Sequence, residues 1–484
     1  MTVFLLLVGL AQAGEPLKLT QTEGDQIRVT GTTVSNFPLD KEGNWYGADP
    51  LYTHRARVGL KVGNEKIAIQ TQWDLLTGLI GDNTWDVVGA VDARGRHQAG
   101  LFKQGSFKPR RASVLASLPA AQVEAGLVTS HWGLGMIAND GAHDPWFGVT
   151  DFGDRVIRMR MTTRPGKTSP LSITAAFDRV VEDDMARWTD GQWADQGVLA
   201  LMYADRVGRQ LGVYAVARHQ QELYEERDTR AQVLDVYGSA PIPIIGAYSL
   251  TISGEAAGIT GKTNRATTYG SPTSVRIQSA GATGLVSYAR IDGALAFHLS
   301  GGWASGDGNP DDEVSHDFRF DRDFGVGQVL FDEFLGSIDA AAHHTLSDPQ
   351  YSGQAPDGLD ATVNEGAFQR ASFLQPVVEV QPMDWLKARV GGAVSWSTGP
   401  ISQRFYTYRA GGTPHNHHNQ PTSGYHLGTE LDWSLDIGRL KVPAGKRRLP
   451  LPSLVLSGGH LLIGESLQGA GPDRIDLYRA MLRL

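Results

Sequence analysis

The chain has no cysteine among its 484 residues. That excludes disulfides, thiolate metal centres and a cysteine nucleophile. It also lacks any apolar run near the about 20 residues that a membrane-spanning helix needs. Positive charge is in deficit: 44 Lys and Arg face 52 Asp and Glu, a net of -8. A general nucleic-acid role, which needs a basic footprint, is therefore disfavoured. Catalytic signatures are missing too. There is no Gly-x-Ser-x-Gly elbow and no His-Glu-x-x-His helix. Gly261-Lys262-Thr263 is not a phosphate loop, because Ala256 stands where that loop needs its first Gly. We expect no enzyme and no cofactor. What the chain has in quantity is glycine, 58 residues, and tryptophan, 11 residues. These suit tight turns, close strand contacts and interfacial aromatics.

Thr2 to Leu10 is a short apolar run, and Ala11-Gln12-Ala13 has the small-x-small form of a signal-peptidase site. This predicts a signal peptide over residues 1–13 and one domain over 14–484. No Lys or Arg precedes the run, so either the true start lies upstream or the run is a buried strand. An exported chain without a spanning helix is periplasmic, secreted, or a barrel in the outer membrane.

Period two dominates the rest. Ala56, Val58, Leu60 and Val62 share one face, with Arg55, Arg57 and Lys61 on the other; Gly63-Asn64-Glu65 turns, and Lys66 to Trp73 returns. The unit recurs about Pro119-Ala120, Arg164-Pro165-Gly166, Arg206-Val207-Gly208, Asp292-Gly293, Pro382-Met383-Asp384 and a longer basic turn, Gly438 to Arg448. With a first strand near Gln26 to Asn36, a pair over Arg230 to Gly258 and a last strand from Arg474, the sum is about 18. The intervening connections are long: Gly81 to Ser106, Trp132 to Phe152, Glu182 to Gln196, Glu222 to Thr229, Gly306 to Phe368 and Thr398 to Ser423. Short turns on one side and long loops on the other predict a transmembrane antiparallel up-and-down β-barrel in a Gram-negative outer membrane. Its lipids and the barrel-insertion machinery are the expected partners, and a monomer the expected state. Tyr52, Trp73, Trp385, Trp396, Tyr425, Trp433 and Tyr478 fall at strand ends, as two aromatic girdles would.

Trp303 to Asp312 carries a strand into a Ser-Gly-Asp-Gly-Asn-Pro loop. A strand running into such a loop resembles the alginate-export family of outer-membrane barrels. Phe320-Asp321-Arg322-Asp323-Phe324, Leu330-Phe331-Asp332-Glu333, His131 to Met136 and Asp151 to Arg155 resemble uncharacterised outer-membrane barrels. The resemblance implies an 18-stranded monomer and, for the alginate exporters, an electropositive pore for an acidic polysaccharide, with periplasmic export partners.

The inward faces are expected to hold Arg55, Arg57, Lys61, Arg111, Arg158, Arg160, Arg276, Lys387, Arg389, Arg479 and Arg483. Glu124, Asp178, Glu430, Asp432 and Asp436 are expected beside them. Arg forks grip carboxylates, so a cationic lumen would draw anionic solutes. The competing reading is a ladder of salt bridges that stiffens the wall. Two weak metal candidates stand apart. Asp307, Asn309 and Asp311 have calcium-loop spacing but lack the Gly and Glu of that loop. His415, His417 and His418 form a short tract, more simply a polar loop tip. Val326 to Ala342 is either a plug in the lumen or a helix on the rim. Two functions follow: a channel or exporter for polar or anionic solutes, and a structural or adhesive barrel in an envelope, surface or motility complex.

Overall fold

The computed structural model describes residues 17–484 apart from 23, 47–49, 80–107, 151–152, 167, 224–225, 245, 266–272, 348–349, 351–352, 354, 356–363, 365, 423, 439–451 and 470. The expected signal peptide, the loop 81–106 and most of the basic turn after Gly438 lie outside the described residues.

Among the described residues, twenty strands occur in chain order. Each of β2 (Gln26–Val34) to β14 (Leu295–Ala304) pairs antiparallel with the next. Then β14 pairs with β16 (Ala371–Met383), and the meander runs on to β20 (Arg474–Arg483). The ring closes where β20 pairs with β2, from Arg28↔Arg483 to Val34↔Leu477. The result is a closed antiparallel barrel of 18 strands. Two short strands stand beside it. β1 (Lys18–Gln21) continues the first position along β3 (Leu51–Gly63), and β15 (Val314–Ser315) runs parallel to the free end of β13 (Val275–Arg290). Closure leaves no open edge, so each spanning peptide group finds a partner without water.

Alternation sorts the side chains. Leu60, Met159, Phe177, Leu199, Leu211, Leu234, Phe297 and Leu431 are exposed on the outside, while Arg57, Asp178, Asp235, Glu255 and Asp432 are buried inside. Tyr203, Tyr288 and Trp385 ring the turn end; Tyr52, Trp193, Trp303 and Trp396 ring the loop end. Of the connections expected to be long, the one between β10 (Gln210–Glu222) and β11 (Arg227–Ile242) is short.

One face assignment is corrected. Arg276 points outward, because Val275 and Ser279 are the buried residues at that end of β13. It closes a register row across six strands: Arg179↔Asp195, Asp195↔His219, His219↔Arg230, Arg230↔Lys262 and Lys262↔Arg276. The row marks the upper limit of the apolar band, where polar outward groups meet headgroups rather than acyl chains.

The largest buried apolar cluster is inside the barrel. Phe318, Phe320, Val329, Leu330, Phe331, Phe334 and Phe368, all from the connection between β14 and β16, pack with Phe37, Phe373, Leu461 and Leu477. That connection contains a π-helical turn, Leu330–Leu335, followed by a helix, Gly336–Ser347. Of the two readings of Val326 to Ala342, the inward one matches this packing.

Leu234 lies halfway along β11 on the outer face. Leu234→Arg should destabilise the barrel by about 2–4 kcal/mol, the cost of a cation at the bilayer midplane. Lys262→Ala, at the loop end, should change it by less than about 0.5 kcal/mol. Urea unfolding in lipid vesicles measures both.

Candidate functional site: two inward loops and the vestibule above them

The connection from β6 (Ala121–Thr129) to β7 (Arg155–Thr163) does not stand on the rim. It crosses the lumen and is held by side chains of the wall on both sides. Arg28 and Arg55 both donate to the Thr150 carbonyl, at 3.0 and 2.7 Å. Arg57 donates to the Gly141 carbonyl at 3.2 Å, and Arg110 to the Asp140 carbonyl at 2.5 Å. Opposite, the Trp132 indole donates to Asp235 at 2.8 Å and stacks on Tyr214, while Glu255 accepts from the Leu134 N–H. Trp146 lies against His298, ring centroids 4.1 Å apart, and Arg483 reaches Asp144 at 3.4 Å. Glycine is needed where this loop folds on itself. Gly153 has φ +84, and a Cβ there would meet the Asp140 carbonyl oxygen at 2.3 Å.

Arg55 and Arg57, expected to line a basic path, are each 1 % exposed. Arg57 also makes a two-pronged pair with Asp74 at 2.7 and 3.2 Å. A buried guanidinium needs all its donors matched, and loop carbonyls are what this wall offers. These arginines therefore position a loop.

The second inward segment is clamped from β18 (His426–Ile437), β19 (Ser453–Ile463) and β20. The Glu430 carboxylate accepts the backbone N–H groups of Gln328, Val329 and Leu330 at 2.5, 2.8 and 3.0 Å. These open the π-helical turn, so an anion meets otherwise orphaned donors there. The Gln328 amide donates to Asp432 and to the Gly458 carbonyl, and its oxygen accepts from Ser457 and Arg479. Arg479 continues to Glu333 at 3.6 Å. The two inward segments also grip each other: Asp321 N–H donates to the Met136 carbonyl at 2.7 Å, and Asn139 N–H to the Asp321 carboxylate at 3.1 Å.

The other expected lumen residues are inside and mostly paired. Arg158 holds Asp178 through two bonds at 2.7 Å, Arg160 meets Glu124, Lys387 and Arg389 share Glu379 at 2.9 and 2.7 Å, and Arg483 meets Asp436 at 3.1 Å. Arg111 bonds Thr129 and Asp140. Lys61 faces inward, half-buried. The expected anion path is thus largely a ladder of ion pairs, of which Arg160, Arg389 and Arg483 remain about a third exposed to the lumen.

Two of the weak metal candidates have other contacts. Asp307 caps its own loop, accepting from the N–H groups of Asn309 and His316. His417 is buried edge-on against Phe334, and burial followed by the neighbouring His418 holds it down to about 3, so it serves as core.

Above the inward loops, on the long-loop side, a cavity of about 630 Å³ opens. Its lining combines Arg187, Arg218, Arg227, Arg265, Arg319, Arg370 and Arg404 with Asp154, Asp183, Asp184, Glu222, Asp307, Asp321 and Asp339. None of these was named as a lumen group from sequence: most lie in connections, where alternation gives no face, and Arg218, Glu222 and Arg227 lie at the loop ends of β10 and β11. Arg218 pairs with Asp183, Arg370 with Asp317 and Arg322 with Asp184. Asp154 and Asp321 are held well above the usual carboxylate range. Burial is the main cause, then the charges of Asp183 and Asp184 on Asp154, and of Asp184 and Asp154 on Asp321. Asp183 goes the other way: burial would raise it, but Arg218 outweighs that and lowers it.

No family model and no curated protein matches the sequence. Several solved structures of outer-membrane proteins are similar over nearly the whole chain. OpdQ of Pseudomonas aeruginosa has 12% identity and a TM-score of 0.49, over 97% of each chain. OccAB1 of Acinetobacter baumannii has 12% identity and 0.49, over 95% of each. OccK11 (OpdR) of Pseudomonas aeruginosa has 13% and 0.48, over 96% of this chain and 95% of the other.

Glu430→Ala removes three charge-assisted bonds, each worth about 1.5–3 kcal/mol. Exchange of the Gln328, Val329 and Leu330 amides should rise by about 100-fold or more; unchanged protection would refute the clamp. The raised carboxyls set a pH dependence. A group whose folded pKa lies above its unfolded value stabilises most below the unfolded value, and that support is lost as pH rises through the folded one. Docking of residues 318–335 should therefore loosen as pH climbs above the usual carboxylate range. Asp321→Asn should flatten that trend in exchange rates corrected for intrinsic pH dependence.

Proposed function

We propose that the chain is a channel of a Gram-negative outer membrane that passes small polar and anionic solutes, with the two inward loops setting the size limit. The observation that carries this reading is the 630 Å³ vestibule with charged walls, seated on loops that fold into the lumen. A barrel whose outside is apolar and whose inside is charged belongs in lipid with water in its bore. Below the loops, Arg160, Lys387, Arg389 and Arg483 offer guanidinium and ammonium groups, about a quarter to a third exposed, to an anion.

The volume also bears on cargo. A chain of sugar acids needs a continuous wide bore, whereas the inward loops and their phenylalanine cluster occupy much of the lumen. Small solutes, rather than an acidic polysaccharide, fit the space that remains. A structural or adhesive barrel is the second reading, favoured by the number of ion pairs across the wall. A monomer in outer-membrane lipid suffices for either.

Conductance in planar bilayers decides between them. The channel reading predicts discrete openings with a preference for anions. Replacing Arg160, Lys387 and Arg389 together by Glu should move the reversal potential in a salt gradient towards cations. A protein that conducts nothing supports the structural barrel, and one whose preference ignores these three changes refutes the basic wall as its source.

A further inference from the structure

The structure assigns a metal site to the inward loop between β6 and β7: we propose that His131, Asp140 and His143 bind a divalent late transition-metal ion such as zinc or copper. The ligand atoms of the three side chains all lie within 4.8 Å of one another, the one such grouping among the described residues. Asp140 Oδ1 sits 3.1 Å from His143 Nδ1 and 3.9 Å from His131 Nδ1. The two imidazoles lie face to face, centroids 4.2 Å apart and 25° from parallel. An ion about 2.0–2.2 Å from each ligand needs donor atoms about 3–4 Å apart. Small ring rotations close that gap.

The carboxylate is already oriented for the task. Arg111 takes its other oxygen, Oδ2, at 3.3 Å, and the Ala142 N–H donates to Oδ1 at 3.0 Å. The backbone beneath it is fixed, since Arg110 holds the Asp140 carbonyl and Arg57 the Gly141 carbonyl. Access comes from the lumen: the His143 side chain is 62 % exposed, while Asp140 is buried. Two imidazoles and one carboxylate suit zinc, copper or nickel, whereas calcium and magnesium prefer all-oxygen sets. Three protein ligands leave at least one position for water or for the carboxylate of a passing solute. The sequence spreads the ligands over thirteen positions with no recognisable motif. The turn through Gly133 and Gly135, closed by the Trp132 N–H on the Ala138 carbonyl, and the bend at Gly141 bring them together.

The site stands or falls without regard to what the barrel carries. Zinc chloride titrated calorimetrically into the untagged full chain in detergent should bind at one equivalent. His143→Ala should weaken binding by at least about tenfold, since loss of even outer-shell support costs 10–100-fold. His131→Ala with His143→Ala should abolish it. The exposed His143 ring can be removed without loss of fold, which the heat-dependent gel shift of a closed barrel checks. Replacing His415, His417 and His418 by Ala should leave the one-equivalent step in place. Cobalt should give tetrahedral or five-coordinate visible absorption in the wild type and none in the double variant. Absence of a one-equivalent step, equal affinity in the His143→Ala variant, or a step that disappears with the 415–418 triplet would overturn the assignment.

Discussion

A loop that turns into the bore of a barrel carries its peptide groups with it, and each needs a partner once neighbouring chain excludes water. Here the wall supplies those partners from buried arginines and carboxyl groups. Guanidinium groups of Arg28, Arg55, Arg57 and Arg110 take carbonyls of residues 140–150. Carboxylates of Glu255 and Glu430 take N–H groups of residues 134 and 328–330. The division is chemical, because Arg has donors only and an ionised carboxylate acceptors only. Everything else about the lumen follows from where those six side chains project from the sheet.

The same groups explain why so much charge can lie inside without a strong net field. Breaking a buried pair costs about 3–5 kcal/mol because one charge is left alone. Arg57 with Asp74 and Arg158 with Asp178 are therefore structural commitments, closed to passing solute. The cations left partly exposed lie below the loops, and the mixed vestibule lies above them. The fold thus divides its arginines between holding the inward loops and lining the lumen on either side of them.

Much of the barrel was legible in the chain. Strict alternation in segments such as 52–62 fixes which face meets lipid, and the contrast of tight turns with long connections fixes which end is which. The inward placement of Arg55, Arg57, Arg479, Glu430 and Asp432 was readable for the same reason. Their partners were not, since a loop's route carries no period. Arg276 was misplaced because the rule of polar-in fails beyond the apolar band, where Val275 and Ile277 turn inward on β13, whose Gly281 abuts Phe318. Glu255 escaped notice in a stretch of Gly, Ala and Ser whose two faces differ little in polarity, and Asp235 because the apolar Val233 and the aromatic Tyr237 share its face. The candidate metal triad could not be seen at all, because contacts between residues 131, 140 and 143 exist only after the loop folds on itself.

Residues 130–150 lie across the lumen against the far wall. The absence of native cysteine makes a direct measurement simple. With Trp146→Cys and His298→Cys in one chain, a short bifunctional thiol reagent applied in lipid vesicles should join the two positions rapidly and almost completely, since those rings are in contact. A failure to cross-link, while each cysteine alone reacts with a monofunctional reagent, would place the loop outside the barrel and contradict the account.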